Sequence, residues 1–285
     1  MKKFSILLIG ILLLSGCSFN DDFSDKLIYT TSYPIEYATS MLYGDYGKIS
    51  SVYPNGADTK YEVTEKKKDI YSKGEKFIYS GIANEGYLAR DLLNKNGNLQ
   101  IIDATKGLQA STTITSSWLD PSNYLMLCSN IKSGLIDYTS NVYTKENIEE
   151  NYNLLNEKVS ELDVALYDIG KNGNYNTILA TSNVFNYLTK YNINVISLDT
   201  NNDAIDRAYS DAKKAISDKS IQYIYYIEGE EFNEQQEKLV TDNSLVKVAI
   251  NNLFTLSDEE RNENKNYITL MNEIIDNYKK ELYKK

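Results

Sequence analysis

The sequence contains no histidine. That removes together the commonest general base, the usual neutral-pH switch and the imidazole on which most zinc sites rely. Cysteine is nearly as scarce, two in 285 residues, which leaves no room for a disulfide framework or a thiolate zinc cluster. Positive charge is in deficit: 30 Lys and Arg against 40 Asp and Glu give a formal net charge of −10. No basic stripe offsets it, which argues against a nucleic-acid partner. A Gly-x-Ser-x-Gly elbow, a phosphate-cradling glycine loop and a Gly-x-Gly-x-x-Gly turn are all missing, and with them the familiar hydrolase and nucleotide-binding machinery. Ser182 follows a strand-like run and precedes a helical one, a place that can expose a nucleophile. Without histidine only a lysine could activate it, and the pattern places none there. No catalytic residue is expected, and the chain reads as a non-enzyme.

What is present begins with an address. Lys2 and Lys3 precede an apolar run from Ile6 to Leu14, too short to span a bilayer, and Leu14-Ser15-Gly16-Cys17 follows. A basic start, a short apolar stretch and small residues before a cut form a secretory signal. A cysteine directly after Leu-Ser-Gly makes that signal a bacterial lipobox. The expectation is a signal peptide over 1–16, lipidation (palmitate included) at Cys17, and a body held by its lipid outside the cell membrane. Residues 17–25 read as a polar tether. Cys128, in "NYLMLCSNI", is read as a small buried hydrophobe.

The body is 42% apolar and 25% charged over the whole sequence, as a globular protein should be, and long enough for two domains. Short β-rich runs at 26–33, 48–53, 75–81 and 99–105 alternate with helical patterns. One helix is opened by Asp120 as N-cap with Pro121 at its first position. A second series has strand-like runs at 176–183, 193–200, 221–229 and 246–251, with helical stretches at 184–191, 203–217, 232–241 and 266–284. Such alternation implies mostly parallel sheets flanked by helices, hence an α/β fold of two Rossmann-like lobes, at 26–142 and 172–285. Between them, Ile148, Tyr152, Leu155, Val159, Leu162, Leu166 and Ile169 step by four and three residues. That stripe predicts one long spanning helix within 143–171, of about 25 residues and nearly 40 Å. A rigid connector of this kind should keep closure of the lobes small.

Four segments then resemble one family, the zinc/manganese class of ABC-transporter substrate-binding lipoproteins that includes streptococcal adhesin lipoproteins. "VYPNGADTKYEVTEKKKDIYSKGEKFIYSG" (52–81) is similar to its Pro-Pro-Gly-x-Glu-Pro-His-x-Tyr-Glu-Pro-Thr segment and the strand after it. "SSWLDPSNY" (116–124) resembles His-x-Trp-Leu-Asp-Pro. "TSNVFNYL", from 181, resembles Ser-His-x-x-Phe-x-Tyr-Leu, and "INNLF", from 250, resembles Leu-Asp-Pro-Leu. In the second segment Trp118 and Leu119 are expected to end a buried strand.

In the family each segment donates one ligand to a metal held between the lobes. Position by position, the resemblance puts those ligands on Thr59, Ser116, Ser182 and Asn251. Hydroxyls and an amide are weak, uncharged donors for zinc or manganese. The family implies a divalent metal as cargo, an ABC permease as partner and a monomer; the residues imply a degenerate site that takes another small solute or binds metal poorly. One variant keeps a hard cation through nearby carboxylates: Asp58, Glu62, Asp199, Glu228 or Glu230. The alternative function is a surface adhesin that has lost metal binding and transport.

Overall fold

The computed structural model describes residues 26–82, 85–109, 113–201 and 203–285. The expected signal peptide (1–16), the expected tether (17–25) and the expected lipidation at Cys17 lie outside the described residues. The two expected β/α series are both present. In the first, β1 (Leu27–Thr30), β2 (Lys48–Ser51), β3 (Lys76–Tyr79) and β4 (Gln100–Asp103) form a sheet in the order β2-β1-β3-β4. In the second, β5 (Thr177–Ala180), β6 (Asn194–Ser197), β7 (Tyr223–Ile227) and β8 (Val246–Ile250) take the order β6-β5-β7-β8. Every strand pair is parallel. This order puts a topological switch point between β1 and β3 in one lobe and between β5 and β7 in the other. Open parallel sheets leave a crevice outside the strand carboxyl ends at such points.

Helices α1 (Tyr33–Tyr43), α2 (Glu65–Tyr71), α3 (Glu85–Lys95), α4 (Ser116–Leu119) and α5 (Pro121–Asp137) cover the first sheet. The second carries α7 (Ile205–Ser217), α8 (Glu234–Asn243), α9 (Asp258–Asn262) and α10 (Tyr267–Leu282). Between the lobes runs α6 (Val142–Asn172), 31 residues and therefore roughly 46 Å long. It exceeds its apolar stripe at both ends because Asn141 caps its first turn, accepting from the Thr144 N–H, and it stops only at Gly173. Ile148, Leu155, Val159, Leu162, Leu166 and Ile169 are buried along it, while Tyr152 is half-buried. It packs on α1 and α5 on one side and on α10 on the other, so the main hydrophobic core runs through both lobes, with a smaller separate cluster around Leu179, Leu198 and Ile224 in the C-terminal lobe. Gly170 permits the closest approach: a Cβ there would lie 1.9 Å from the Tyr191 carbonyl oxygen.

Three details differ from the sequence reading. Trp118 and Leu119 do not end a strand; they sit in α4, a helical turn in which the Ser117 and Leu119 N–H groups donate to the Thr113 and Thr115 carbonyls. The helix-start residues Asp120-Pro121 come so soon after that no length remains for a strand. The stretch 184–191 is a 3-10 helix over Asn183–Tyr191, closed by Asn192 in the left-handed conformation at φ 62°. The short helices α2 and α9 carry no buried residue and hence no periodic signal. Asp120 is the N-cap of α5 as expected, accepting from the Ser122 N–H at 3.0 Å.

Trp118 is fully buried and ties the lobes together. Its indole N–H donates to the Asn252 carbonyl at 2.8 Å, and its own carbonyl accepts from the Tyr267 hydroxyl at 2.7 Å. Two polar clamps flank it. Arg261 holds Glu36 through both guanidinium nitrogens, at 3.1 and 2.9 Å, a bidentate geometry that sets angle as well as distance. On the other side Lys190 donates to Asp120 and Ser122, and Tyr191 donates to Asp163 on α6. Cys128 is buried on α5, and burial pushes its thiol far up from the ordinary range, as suits an inert packing residue.

Candidate functional site

The loop after β2 carries Thr59 out to solvent at the mouth of a cavity of about 690 Å³. Tyr53, Tyr61 and Glu85 line it from the N-terminal lobe, and Phe254 closes it from the C-terminal lobe. The Tyr53 ring stands between its neighbours, 5.9 Å from Tyr61 and 4.9 Å from Phe254. Backbone bonds from Tyr33 N–H to the Phe254 carbonyl at 2.8 Å, and from Gly56 N–H to the Leu256 carbonyl at 2.9 Å, hold the two sides in register.

Glu85, the first residue of α3, forms the floor. One carboxylate oxygen accepts from the Tyr53 hydroxyl at 3.0 Å and the other from the Ser80 N–H at 2.7 Å. Burial raises its pKa to about 7, against the lowering effect of the Ser80 N–H, Thr31 and Tyr53; Asp103 adds to the rise. The Thr31 hydroxyl is near enough to act on the carboxylate without making a well-directed hydrogen bond. Thr30, Thr31, Ser32 and Ser80 form a buried band of hydroxyls at the carboxyl ends of β1 and β3, none with a hydrogen-bond partner. Burial, and then the Glu85 charge, push the Tyr53 phenol well above its ordinary range, so it stays a donor.

A second cavity, about 1050 Å³, opens between Ser116, Asp120 and Asn123 on one side and Asn183, Tyr187 and Asp211 on the other. The half-buried Ser116 borders it, but its hydroxyl is engaged within its own turn. It accepts from the Thr113 N–H and hydroxyl, both at 2.9 Å, and donates to the Thr113 carbonyl at 3.1 Å. Asn251 is similarly occupied: its side-chain oxygen accepts from Leu253 N–H and its NH2 donates to Glu260, both at 2.8 Å. That turn supports Leu253 at a left-handed φ of 57°. Ser182 is the N-cap residue of the 3-10 helix without making a cap bond, and its buried hydroxyl has no partner. Thr59 and Ser116 thus face different cavities, and Ser182 and Asn251 line neither of them.

The carboxylates are equally dispersed. Asp58 is exposed and accepts from the Lys60 N–H at 3.0 Å; Glu62 is exposed on the wall of the first cavity. Asp199 accepts from the Asn183 and Asn201 N–H groups at 3.0 and 2.8 Å. Glu230 takes the Thr181 hydroxyl at 3.0 Å, and Glu228 is exposed beside it. Among the described residues no three His, Cys, Asp or Glu side chains converge as a metal ion would need. The residue that sequence reasoning missed is Glu85. An acid in the first turn of a helix is ordinary, since it favours the helix dipole, and nothing in "NEGYLARDLL" shows that this one faces inward.

The ZnuA family model, described as zinc-uptake complex component A, periplasmic, matches residues 28–281. No curated protein matches the sequence to significance. Among solved structures, the Zn(II)-bound ZnuA-like domain of AdcA from Streptococcus pneumoniae has a TM-score of 0.72 at 21% identity, covering 91% of this chain and 99% of that one. The metal-dependent lipoprotein YcdH of Bacillus subtilis gives 0.73 at 19% identity, over 90% of this chain and 99% of its own. At these identities the likeness speaks for the shared architecture.

Proposed function

Since the chain belongs to the ZnuA family, we propose that it is the extracytoplasmic solute-binding component of an ABC transporter, capturing cargo at the lobe interface and delivering it to a permease. It is a binding protein rather than an enzyme, as its family is. No helix among the described residues is long and apolar enough to cross a membrane; acylated Cys17 is the proposed anchor. The capture site is the cavity between Tyr53, Glu85 and Phe254, where side chains of both lobes meet over the β1/β3 switch point.

In this reading the cargo is not zinc or manganese. The observation that carries it is the donor set at the four ligand-equivalent positions: Thr59, Ser116, Ser182 and Asn251 bring no charge. Two of them already spend their polar atoms on their own turns. The four also line no common cavity, so a divalent cation at any of them would lose hydration without gaining charge neutralisation.

The test is metal analysis of protein purified without chelator, followed by melting curves with added Zn²⁺, Mn²⁺ or Ca²⁺. The expected result is well under one equivalent of metal and an unchanged melting temperature. A ligand at a hundred times its Kd would add about 2.7 kcal/mol of stability. One equivalent of bound metal with such a rise would overturn the reading.

A further inference from the structure

Four charged residues are buried among those described, and three have a counter-charge. Lys76 pairs with Glu75, Asp120 with Lys190 and Glu281 with Lys284. Glu85, 4% exposed, has none among the described residues, and it lines the cavity between the lobes; Asp120, which borders the second cavity, is already paired. A buried carboxylate without a cation is costly, and it stays neutral or waits for a partner. The charges on the cavity wall do not supply one. Lys68 is held by Asp91 at 2.6 Å and by Glu65 at 2.8 Å; Lys60 and Glu62 on the exposed wall are equal and opposite in charge without being joined in an ion pair. The uncompensated charge of the site is therefore that of Glu85.

The rest of the cavity narrows the class of partner. At about 690 Å³ it has the size of a small-molecule site rather than of a bare ion. Divalent metals need several converging ligands, which the described residues do not bring together. An anion would be repelled by ionised Glu85, and a neutral solute would draw nothing from its charge. Tyr53 and Phe254, packed on each other at 4.9 Å, offer an apolar wall for a hydrocarbon stem.

We propose that this cavity receives a small organic solute through a primary ammonium group, with the Glu85 carboxylate as counter-ion and the Tyr53 and Phe254 rings as its wall. The inference rests on the reading of the lobe interface as a capture site. Each Glu85 oxygen retains a lone pair beyond its bond to Tyr53 or Ser80, enough to accept from an ammonium N–H. Binding requires the ionised carboxylate, so a proton on Glu85 leaves to solvent as the ammonium enters. The groups around it that bear on this exchange are Tyr53, Thr31, Ser80 and Asp103, with Glu62, Asp91, Lys60 and Lys68 farther out on the wall.

The probe is n-butylammonium chloride, with n-butanol as its neutral counterpart and sodium chloride at equal ionic strength. Saturation-transfer NMR and melting curves should register the ammonium and neither control. Its apparent affinity should be roughly tenfold higher at pH 8 than at pH 6, following ionisation of a carboxyl near pH 7. Glu85→Gln should weaken binding at least tenfold, and Glu228→Gln, exposed and outside the cavity, should change it less than about twofold. Butanol binding as well as the ammonium, sodium competing at equal concentration, absence of ammonium binding, or unchanged binding by Glu85→Gln would each overturn the proposal. Should Glu85→Gln fail to fold, the pH dependence and the butanol control decide on the unmodified protein. Failure of the capture reading looks different: it appears as a full equivalent of zinc in the same preparation.

Discussion

The two lobes repeat one topology, yet their switch points are finished in opposite ways. At the carboxyl ends of β5 and β7 the crevice is filled by the protein's own side chains. Gln236 is buried there and donates to the Leu198 carbonyl at 3.1 Å and the Thr181 carbonyl at 3.4 Å, while Glu230 takes the Thr181 hydroxyl. At the ends of β1 and β3 a cavity remains, with an unpaired acid and a band of unpartnered hydroxyls beneath it. Topology determines where a site can lie; the side chains that reach back into the crevice decide whether it is open. In the proposed reading the hollow switch point is the one that receives an external ligand.

The sharpest test of that contrast compares two buried acids. Glu281 is paired with Lys284 and accepts from the Gln222 and Tyr223 N–H groups at 2.9 and 2.8 Å. Glu281→Gln should strand the lysine and cost about 3–5 kcal/mol in a denaturant melt. Glu85→Gln removes a charge that nothing balances, so at pH 8 it should be neutral or stabilising. Equal losses at both positions would break the comparison.

The next effect is in pH dependence. The Glu85 pKa is raised in the folded state, so its contribution is fully present below the unfolded value near 4.5 and is lost as pH rises through about 7. Over that window the wild type should lose on the order of 3 kcal/mol that Glu85→Gln does not lose. Urea midpoints at pH 5, 6, 7 and 8 measure it, and parallel curves for the two proteins would show that Glu85 does not titrate there.

The smallest effects contrast plug with vacancy inside the C-terminal lobe. Gln236→Ala leaves two buried carbonyls short of a donor and should cost about 1–3 kcal/mol. Ser182→Ala deletes a hydroxyl without a partner and should change stability by less than about 0.5 kcal/mol. A large loss at Ser182 would reveal a role for that hydroxyl in the folded protein.

Much of this architecture was readable in advance because its signals are long or repeated. The eight strands lie within short β-rich runs between turn residues, and α6 announces itself by the stripe from Ile148 to Ile169. Asp120-Pro121 marks the start of α5 by local chemistry alone. What escaped the sequence was short or tertiary in origin. Helix α4 is four residues long and has no period to detect. The resemblance names Thr59, Ser116, Ser182 and Asn251, but not the uses their side chains have: Ser116 is bound to its own turn, and Asn251 to Leu253 and Glu260, only because of how those segments fold. Glu85 was hidden for the same reason. Its burial depends on Tyr53, Ser80 and Phe254, which are 5 to more than 150 positions away in the chain and adjacent only after the lobes close.

Helix α6 has a consequence for how the protein comes apart. Its buried stripe belongs to a core shared by both lobes, and Trp118 is bonded across the seam. Neither half can complete its interior alone, so heat or denaturant should melt the chain in one cooperative step rather than lobe by lobe. Cutting after Asn172 would yield two fragments with raw apolar faces, and useful activity would return only if they found each other again. Despite the duplicated appearance of its halves, the molecule is a single folding unit.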